Sequence, residues 1–265
     1  MDMKKEKSEP VITRIENIPD LPEKIWNASG SYQNDEWKLP KNSSLLKNIV
    51  SDEDIKQLYD MKVKAEQNIY LRSLLSKPLK AKDEELRMRA MKWVIYDWGH
   101  VRGLKGSEEV WPKQLGNYEE AVIEKFITEN HKKRIASWSK VLAFADSAKY
   151  AIYDARVVMS LNTILDDTSY PQRFYMPPPS SEKLPKSFSN IKKHVKNLYP
   201  NKQPKYLGYF EYLNLLNAIV NKKLAKNILE VEMCLFANGM NYAEKYAAKY
   251  GLVSQNKRPK KLSKL

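Results

Sequence analysis

The segment KYAIYDARVVMSLNTIL, residues 149–165, decides how the rest of this chain is interpreted. Its apolar residues recur at the spacing of one face of an α-helix: Val157, Val158, Leu161, Ile164 and Leu165. Asp154 stands just before this helix, where aspartate is a favoured N-cap. A carboxylate there can also be catalytic, because the helix dipole and the free N–H groups keep it ionised. Both interpretations of Asp154 are open from this segment alone.

Helical patterns continue along most of the chain, and only eight of its residues are glycine, which argues against a β-rich fold full of tight turns. Ser51, followed by three acidic residues, is typical of a helix start, and Gly99 and Gly239 are expected to end helices. The further predicted helices cover about 52 to 77, 82–98, 117–130, 132–145, 207–221 and 223–238. We therefore predict an all-α fold.

The chain is divided by composition into three parts. Residues 1–42 mix charge, proline and scattered tryptophans without a helical period, which predicts an irregular N-terminal arm. Residues 43–251 hold the predicted helices and form one all-α domain. Residues 252–265 are basic and are expected to be a disordered tail.

The composition narrows the classes of function. A formal net charge of +14 and a pI near 9.5 favour a polyanionic partner, with nucleic acid as the first candidate and a membrane surface as the second. No apolar run is long enough for a membrane span, and no secretory signal is expected after MDMKKEKSEP. The single cysteine, Cys234, excludes an internal disulfide and suits a cytoplasmic location. His100, His131 and His194 are widely spaced, so neither a metal site nor a cofactor is predicted.

The segment NYEEAVIEKFITENHKKRIASWSKVLAFADSAKYAIYDARVVMSLN resembles the helix-hairpin-helix superfamily of DNA glycosylases, over about residues 117–165. Among these it looks most like bacterial antiphage members that excise modified cytosines such as glucosylated hydroxymethylcytosine. The resemblance implies a glycosylase-like helical bundle in which Asp154 is the catalytic carboxylate. The family's hairpin holds a DNA phosphate on two glycines. This chain has none there, and Lys132, Lys133 and Arg134 are expected to bind the phosphate by charge.

The resemblance also bears on the type of reaction. Members that cleave the DNA strand carry a lysine in the second helix, which forms an imine with the sugar. Arg134 or Lys140 occupies that place here, and an arginine cannot form the imine. We therefore expect a monofunctional glycosylase that leaves an abasic site, with Asp154 and Lys140 as the candidate catalytic residues.

An enzyme that flips a base must also stack and hold it, which aromatic and arginine side chains do well. The candidates are Trp98, His100, Arg102, Tyr153 and Arg156. The alternative is that Trp98 is a core residue and Arg102 a surface charge. Trp138 and Cys234 are expected in the core, and the polar Ser160 and Asn162 on a solvated helix face.

Residues 183–205 contain seven lysines and no acidic residue. Such a run is either a surface that follows the DNA backbone or a solvated loop. We expect Lys192, Lys193 and Lys196 to contact phosphates.

Three classes of function follow. The first is a DNA glycosylase that acts on modified or damaged bases in double-stranded DNA. The second is a non-catalytic all-α nucleic-acid-binding protein in which Asp154 is only a cap. The third, an RNA-directed or nuclease-like enzyme, ranks last because no pair of carboxylates has a spacing suited to Mg²⁺. Neither a membrane nor an obligate protein partner is expected.

Overall fold

The structure, a computed structural model, describes residues 14–32, 39–40, 44–100, 135–177, 186–197 and 207–252. Within these ranges the chain is mostly helical and contains no strand, apart from an isolated parallel bridge between Phe174 and Leu207. The α-helices are α1 (Leu21–Ser29), α2 (Ser44–Lys47), α3 (Asp52–Asp60), α4 (Lys64–Leu79), α5 (Glu84–Lys92), α6 (Ile135–Ala145), α7 (Ala155–Asp167), α8 (Lys186–Asn197), α9 (Tyr209–Asn221) and α10 (Ile228–Lys249). The predicted all-α class is confirmed for the described residues.

Helix α7 is the centre of the fold and begins at Ala155, directly after Asp154, as predicted. Every residue from 155 to 165 is buried except Arg156. The long helix α10 packs along it more extensively than any other described element. Ser160 and Thr163 face this neighbour: the Ser160 hydroxyl donates to the carbonyl of Leu235 at 2.6 Å. The apolar stripe read from the sequence is therefore only part of what α7 buries.

Two hydrophobic clusters meet at the segment that leads into α7. One surrounds α7 and includes residues of α1, α8, α9 and α10. The other lies between α4, α5, the π-helical turn Trp93–Trp98 and α6. Ile152 belongs to the second cluster, whereas Ala151 and Tyr153 on either side of it belong to the first. The backbone before Asp154 is thereby held between both parts of the core.

The interpretation of the N-terminal region as an irregular arm is wrong over the stretch that the structure describes. Residues Ile15–Asn17 form a 3₁₀ turn, and α1 follows with Pro22 in its first turn. Ile15, Leu21 and Ile25 are buried in the cluster around α7. The apolar residues at positions 21 and 25 are one helical turn apart, and this short period is what the mixture of charge and proline obscured.

The structure confirms one predicted helix boundary and corrects two others. Ser51 caps α3 as predicted, because its hydroxyl accepts the amide of Asp54. The single long helix expected up to Pro78 is instead broken at residues 61–63, and Pro78 lies inside the last turn of α4. The helix expected to end at Gly239 continues to Lys249.

Gly239 lies inside α10, at the point where this helix closely approaches α7. A Cβ atom at this position would lie 2.7 Å from both the Cβ and the carbonyl oxygen of Arg156. The glycine therefore lets α10 approach the first turn of α7, which is the turn that follows Asp154.

Several sequence predictions fall outside the described residues. They are the glycine-bearing loop 99–116 beyond residue 100, the helix 117–130, the start of the helix 132–145, and the tail 252–265 beyond residue 252.

Replacing Gly239 by alanine is expected to destabilise the protein. In a helix free of such contacts, this change raises stability by up to about 1 kcal/mol. Here the added methyl group meets the backbone of Arg156, so we expect the free energy of unfolding to fall by about 1–3 kcal/mol. Chemical denaturation measures the difference, with Glu244→Ala on the exposed face of α10 as the control. A stability equal to or above that of the parent would contradict the close approach of α10 to α7.

Candidate catalytic site

The two carboxylate oxygens of Asp154 have different partners. Oδ1 accepts the backbone amides of Arg156 and Val157 at 3.0 and 3.1 Å and so caps α7. Oδ2 lies 3.8 Å from the Nζ of Lys140. The side chain of Asp154 is 16% exposed, so this second oxygen is held at the edge of the core. The cap predicted from the sequence is confirmed, and it leaves one carboxylate oxygen free of capping duty.

Lys140, on α6, is the buried partner of Asp154. Its side chain is 5% exposed, and Nζ donates to the carbonyl of Ala136 at 2.7 Å. Burial lowers the pKa of the Lys140 amine, while the nearby carboxylates of Asp154 and Glu232 act in the opposite direction. The side-chain stem passes beside Gly99, where a Cβ atom would lie 3.1 Å from the Cδ of Lys140. The structure thus brings together the two candidate catalytic residues of the sequence analysis.

A narrow cleft lies near the segment that precedes Asp154, because Ile152 is one of its lining residues, whereas Asp154 and Lys140 are not. Its lining combines aromatic and apolar side chains with the ion pair between Arg72 and Glu232. The lining residues are Asn68, Arg72, Trp98, Ile152, Glu232, Met233 and Phe236. The side chains pack against one another, so a planar ligand the size of a base would enter only if the aromatic walls moved apart.

Trp98 and His100 lie at the end of the turn that follows α5. Trp98 is 7% exposed and packs edge-on against Phe144, with the ring centroids 4.8 Å apart. The core interpretation of Trp98 is therefore correct, although the ring also forms one wall of the cleft. His100 is exposed and has a positive φ of 49°.

The two neighbours of Asp154 point in different directions. The ring of Tyr153 is 1% exposed, and its hydroxyl donates to the carbonyl of Tyr175 at 2.8 Å, so Tyr153 is a core residue and does not line the cleft. Arg156 is half-buried, and its guanidinium lies 4.9 Å from the ring centroid of Phe236, at the edge of the cleft. Of the two, only Arg156 contacts a residue that lines the cleft, namely Phe236.

Part of the lysine run 183–205 forms helix α8. Lys193 and Lys196 are exposed, while Lys192 is half-buried and lies 5.9 Å from the ring centroid of Tyr175. Burial, together with the charge of Lys196, lowers the pKa of Lys192. The three predicted DNA-binding lysines therefore share one basic helix. The other predicted contacts, Arg102, Lys132, Lys133 and Arg134, lie outside the described residues.

Four polar residues of the interior were missed by the sequence analysis. Arg72 and Glu232 come from distant helices and received no role. Ser160 and Asn162 were expected to be solvated but are fully buried, and the amide of Asn162 bonds both the N–H and the carbonyl of Phe174. The one signal that could have revealed Glu232 is its place within the apolar run VEMCLF, residues 231–236.

Among the described residues, no group of three or more histidine, cysteine or acidic side chains is arranged to hold a metal ion. Trp138 and Cys234 are buried, as expected. Burial raises the pKa of the Cys234 thiol to about 11, which suits a core residue.

Removing the charge of Asp154 is expected to lower the pKa of Lys140. Asp154→Asn keeps a capping oxygen but withdraws the carboxylate that favours the protonated amine. Lysine labelled with ¹³C at Cε allows the titration to be followed by NMR, with the Lys140 signal assigned by its loss in Lys140→Met. The control is Asp83→Asn, because Asp83 caps α5 in the same manner without a charged partner. A Lys140 pKa that stays the same or rises in Asp154→Asn would contradict the geometry.

Comparison of the chain with models of protein families, with curated proteins and with solved structures finds no match. None of the described helices combines the length and the apolar character needed to cross a membrane.

Proposed function

We propose that this protein is a DNA glycosylase that excises a modified or damaged base from duplex DNA and leaves an abasic site. One observation supports this above the others: the Asp154 carboxylate is anchored through one oxygen and presents the other 3.8 Å from the amine of a buried lysine. Ile152, two residues earlier, lines a narrow cleft together with Trp98 and Phe236. A cap alone requires only the first oxygen. A carboxylate held in this way suits the electrostatic task that we propose for it.

Breaking an N-glycosidic bond develops positive charge on the sugar, and a nearby carboxylate stabilises that charge. In the proposed reaction Asp154 Oδ2 faces the C1′ carbon and orients a water molecule that adds to it. The departing base takes the electron pair of the broken bond and a proton. Trp98, which lines the cleft, and Arg156, which stacks on the lining residue Phe236, would contact the extruded base once the lining side chains separate.

Lys140 is assigned a supporting role in this reaction. Its Nζ is directed to the Ala136 carbonyl and to Asp154, and the side chain is 5% exposed, so we propose that it sets the position and charge of Asp154 without forming an imine. Borohydride traps an imine covalently. Trapping of DNA on the parent protein, abolished by Lys140→Met, would overturn the monofunctional part of the proposal.

The substrate class comes from the resemblance to antiphage glycosylases. We propose that modified cytosine, such as glucosylated hydroxymethylcytosine in phage DNA, is excised, and that the protein acts in the cytoplasm where such DNA enters. The hydrolysis requires no cofactor, because a carboxylate and a water molecule suffice for it.

A second candidate function is a non-catalytic nucleic-acid-binding protein. The close packing of the cleft and the burial of Trp98 favour it, because binding to phosphates requires neither an open cleft nor an exposed Trp98. The two candidates differ in one product, because a binding protein forms no abasic site on any duplex.

Asp154→Asn is expected to slow base release strongly while helix α7 keeps its cap. Loss of the carboxylate charge should slow release by about a hundredfold or more, since it removes stabilisation of the charged transition state. The assay uses duplexes with cytosine, hydroxymethylcytosine or glucosylated hydroxymethylcytosine, followed by alkali to cleave abasic sites. Asp83→Asn is the matched capping control, and circular dichroism shows that each variant is folded. Release by Asp154→Asn within a fewfold of the parent would leave Asp154 as a cap only.

The basic face of α8 is expected to dominate the salt dependence of DNA binding. Each neutralised phosphate contributes roughly −0.9 to the slope of log affinity against log salt concentration. Replacing Lys192, Lys193 and Lys196 by alanine should flatten that slope by about one unit per lost contact. A variant with alanine at the exposed Lys56, Lys62 and Lys77 loses the same charge from α3, α4 and the link between them, and serves as control. Equal slopes in the two variants would show that α8 has no special role.

A further inference from the structure

The backbone that leads into Asp154 is held by side chains of three different helices. Residues 151–153 precede the cap, and each of them has at least one backbone group bonded to a side chain from elsewhere in the fold. The bonds are Tyr209 hydroxyl to Ala151 carbonyl at 2.9 Å, Tyr212 hydroxyl to Ile152 carbonyl at 3.0 Å, Ile152 amide to Glu232 Oε2 at 2.8 Å, and Tyr153 amide to Ser139 Oγ at 2.9 Å. The backbone of this short segment is therefore held by four side chains.

Glu232 is the charged member of this set. Its Oε1 accepts from Arg72 Nη2 at 2.6 Å, and its Oε2 accepts from Arg72 Nη1 at 2.9 Å as well as from the Ile152 amide. Both side chains of the ion pair are 2% exposed. Arg72 Nε in turn donates to Asn68 Oδ1 at 3.3 Å, one turn earlier on α4. The two-point contact with Arg72 thus fixes the orientation of Glu232, and Glu232 in turn holds the Ile152 amide.

A buried ion pair is weak evidence for a role in stability alone. Desolvation of two charges commonly offsets their attraction, and apolar residues of similar volume often replace such a pair without loss. An ion pair does impose direction, because bidentate contacts fix the orientation of both groups. Arg72 lies on α4 and Glu232 on α10, and together they hold the residue two positions before Asp154.

We propose that Glu232, oriented by Arg72, is a positioning residue for Asp154. By accepting a hydrogen bond from the Ile152 amide, Glu232 fixes the backbone so that Asp154 Oδ2 faces Lys140. The proposal rests on the proposed function for its effect on base release, but the placement itself can be tested without activity. The charge of Glu232 also favours the protonated form of Lys140, against the effect of burial. Glu232 therefore acts on both members of the catalytic pair without belonging to it.

The test compares two double variants that both remove the ion pair. Arg72→Met with Glu232→Gln keeps an oxygen that accepts the Ile152 amide, whereas Arg72→Met with Glu232→Leu does not. Neither leaves a lone buried charge. We expect the leucine variant to release base about tenfold to a hundredfold more slowly per folded molecule than the glutamine variant, the loss typical of a misplaced catalytic group. Both variants change the cleft lining at the same two positions, so the difference between them reports the contact with the Ile152 amide.

Ser160→Ala is the matched control, because it removes another buried hydrogen bond to α10 without touching residues 151–154. Its rate per folded molecule should equal that of the parent. Equal rates in the two double variants would overturn the positioning role, since the Ile152 contact would then not matter.

A second readout separates this proposal from the proposed function. If the parent releases no base from any duplex, the glycosylase assignment fails, and the titration of Lys140 by ¹³C NMR still reports the placement of Asp154. We expect the pKa of Lys140 to be lower in the leucine variant than in the glutamine variant, because Asp154 is displaced from the amine only in the former. Identical Lys140 titrations in the two double variants would overturn the proposal.

Discussion

The burial of helix α7 is the constraint on which the rest of the structure depends. A helix covered on nearly every side must have its polar side chains and its first amides paired inside the protein. Asp154 pairs the amides at the start, Ser160 bonds the backbone of α10, and Asn162 bonds that of Phe174. Satisfying these groups fixes the neighbours of α7 as firmly as apolar packing does, and it places the helix start at the junction of the two hydrophobic clusters.

This constraint connects the fold with the candidate site. Because α7 begins where the clusters meet, Asp154 lies between α6, which carries Lys140, and α10, which carries Glu232 and Phe236. Gly239 allows α10 to come close enough for Phe236 to contact Arg156. The charged and aromatic groups around the cleft are thus side chains of the core helices, and their positions are set by core packing.

The sequence predicted what depends on neighbouring residues. The start of α7, its apolar face and its cap are encoded within residues 154–165, so they could be read directly. The pairing of Arg72 with Glu232 joins positions 160 residues apart, and no local pattern reveals it. Ser160 and Asn162 were misjudged for a related reason: periodicity shows which face of a helix is apolar, but not whether the opposite face is also covered.

Charge balance explains why a buried lysine suits the proposed chemistry. A protonated Lys140 neutralises the charge of Asp154 and opposes the positive charge that develops on the sugar. A neutral Lys140 leaves the carboxylate uncompensated, so the carboxylate stabilises that positive charge more strongly. Burial moves the pKa of Lys140 toward the neutral form, and Glu232 limits that shift. Burial of α6 and the charge of Glu232 thus act in opposite directions on the Lys140 amine, whose Nζ lies 3.8 Å from Asp154 Oδ2, and in the proposed reaction the balance between them sets how far the charge of Asp154 is compensated.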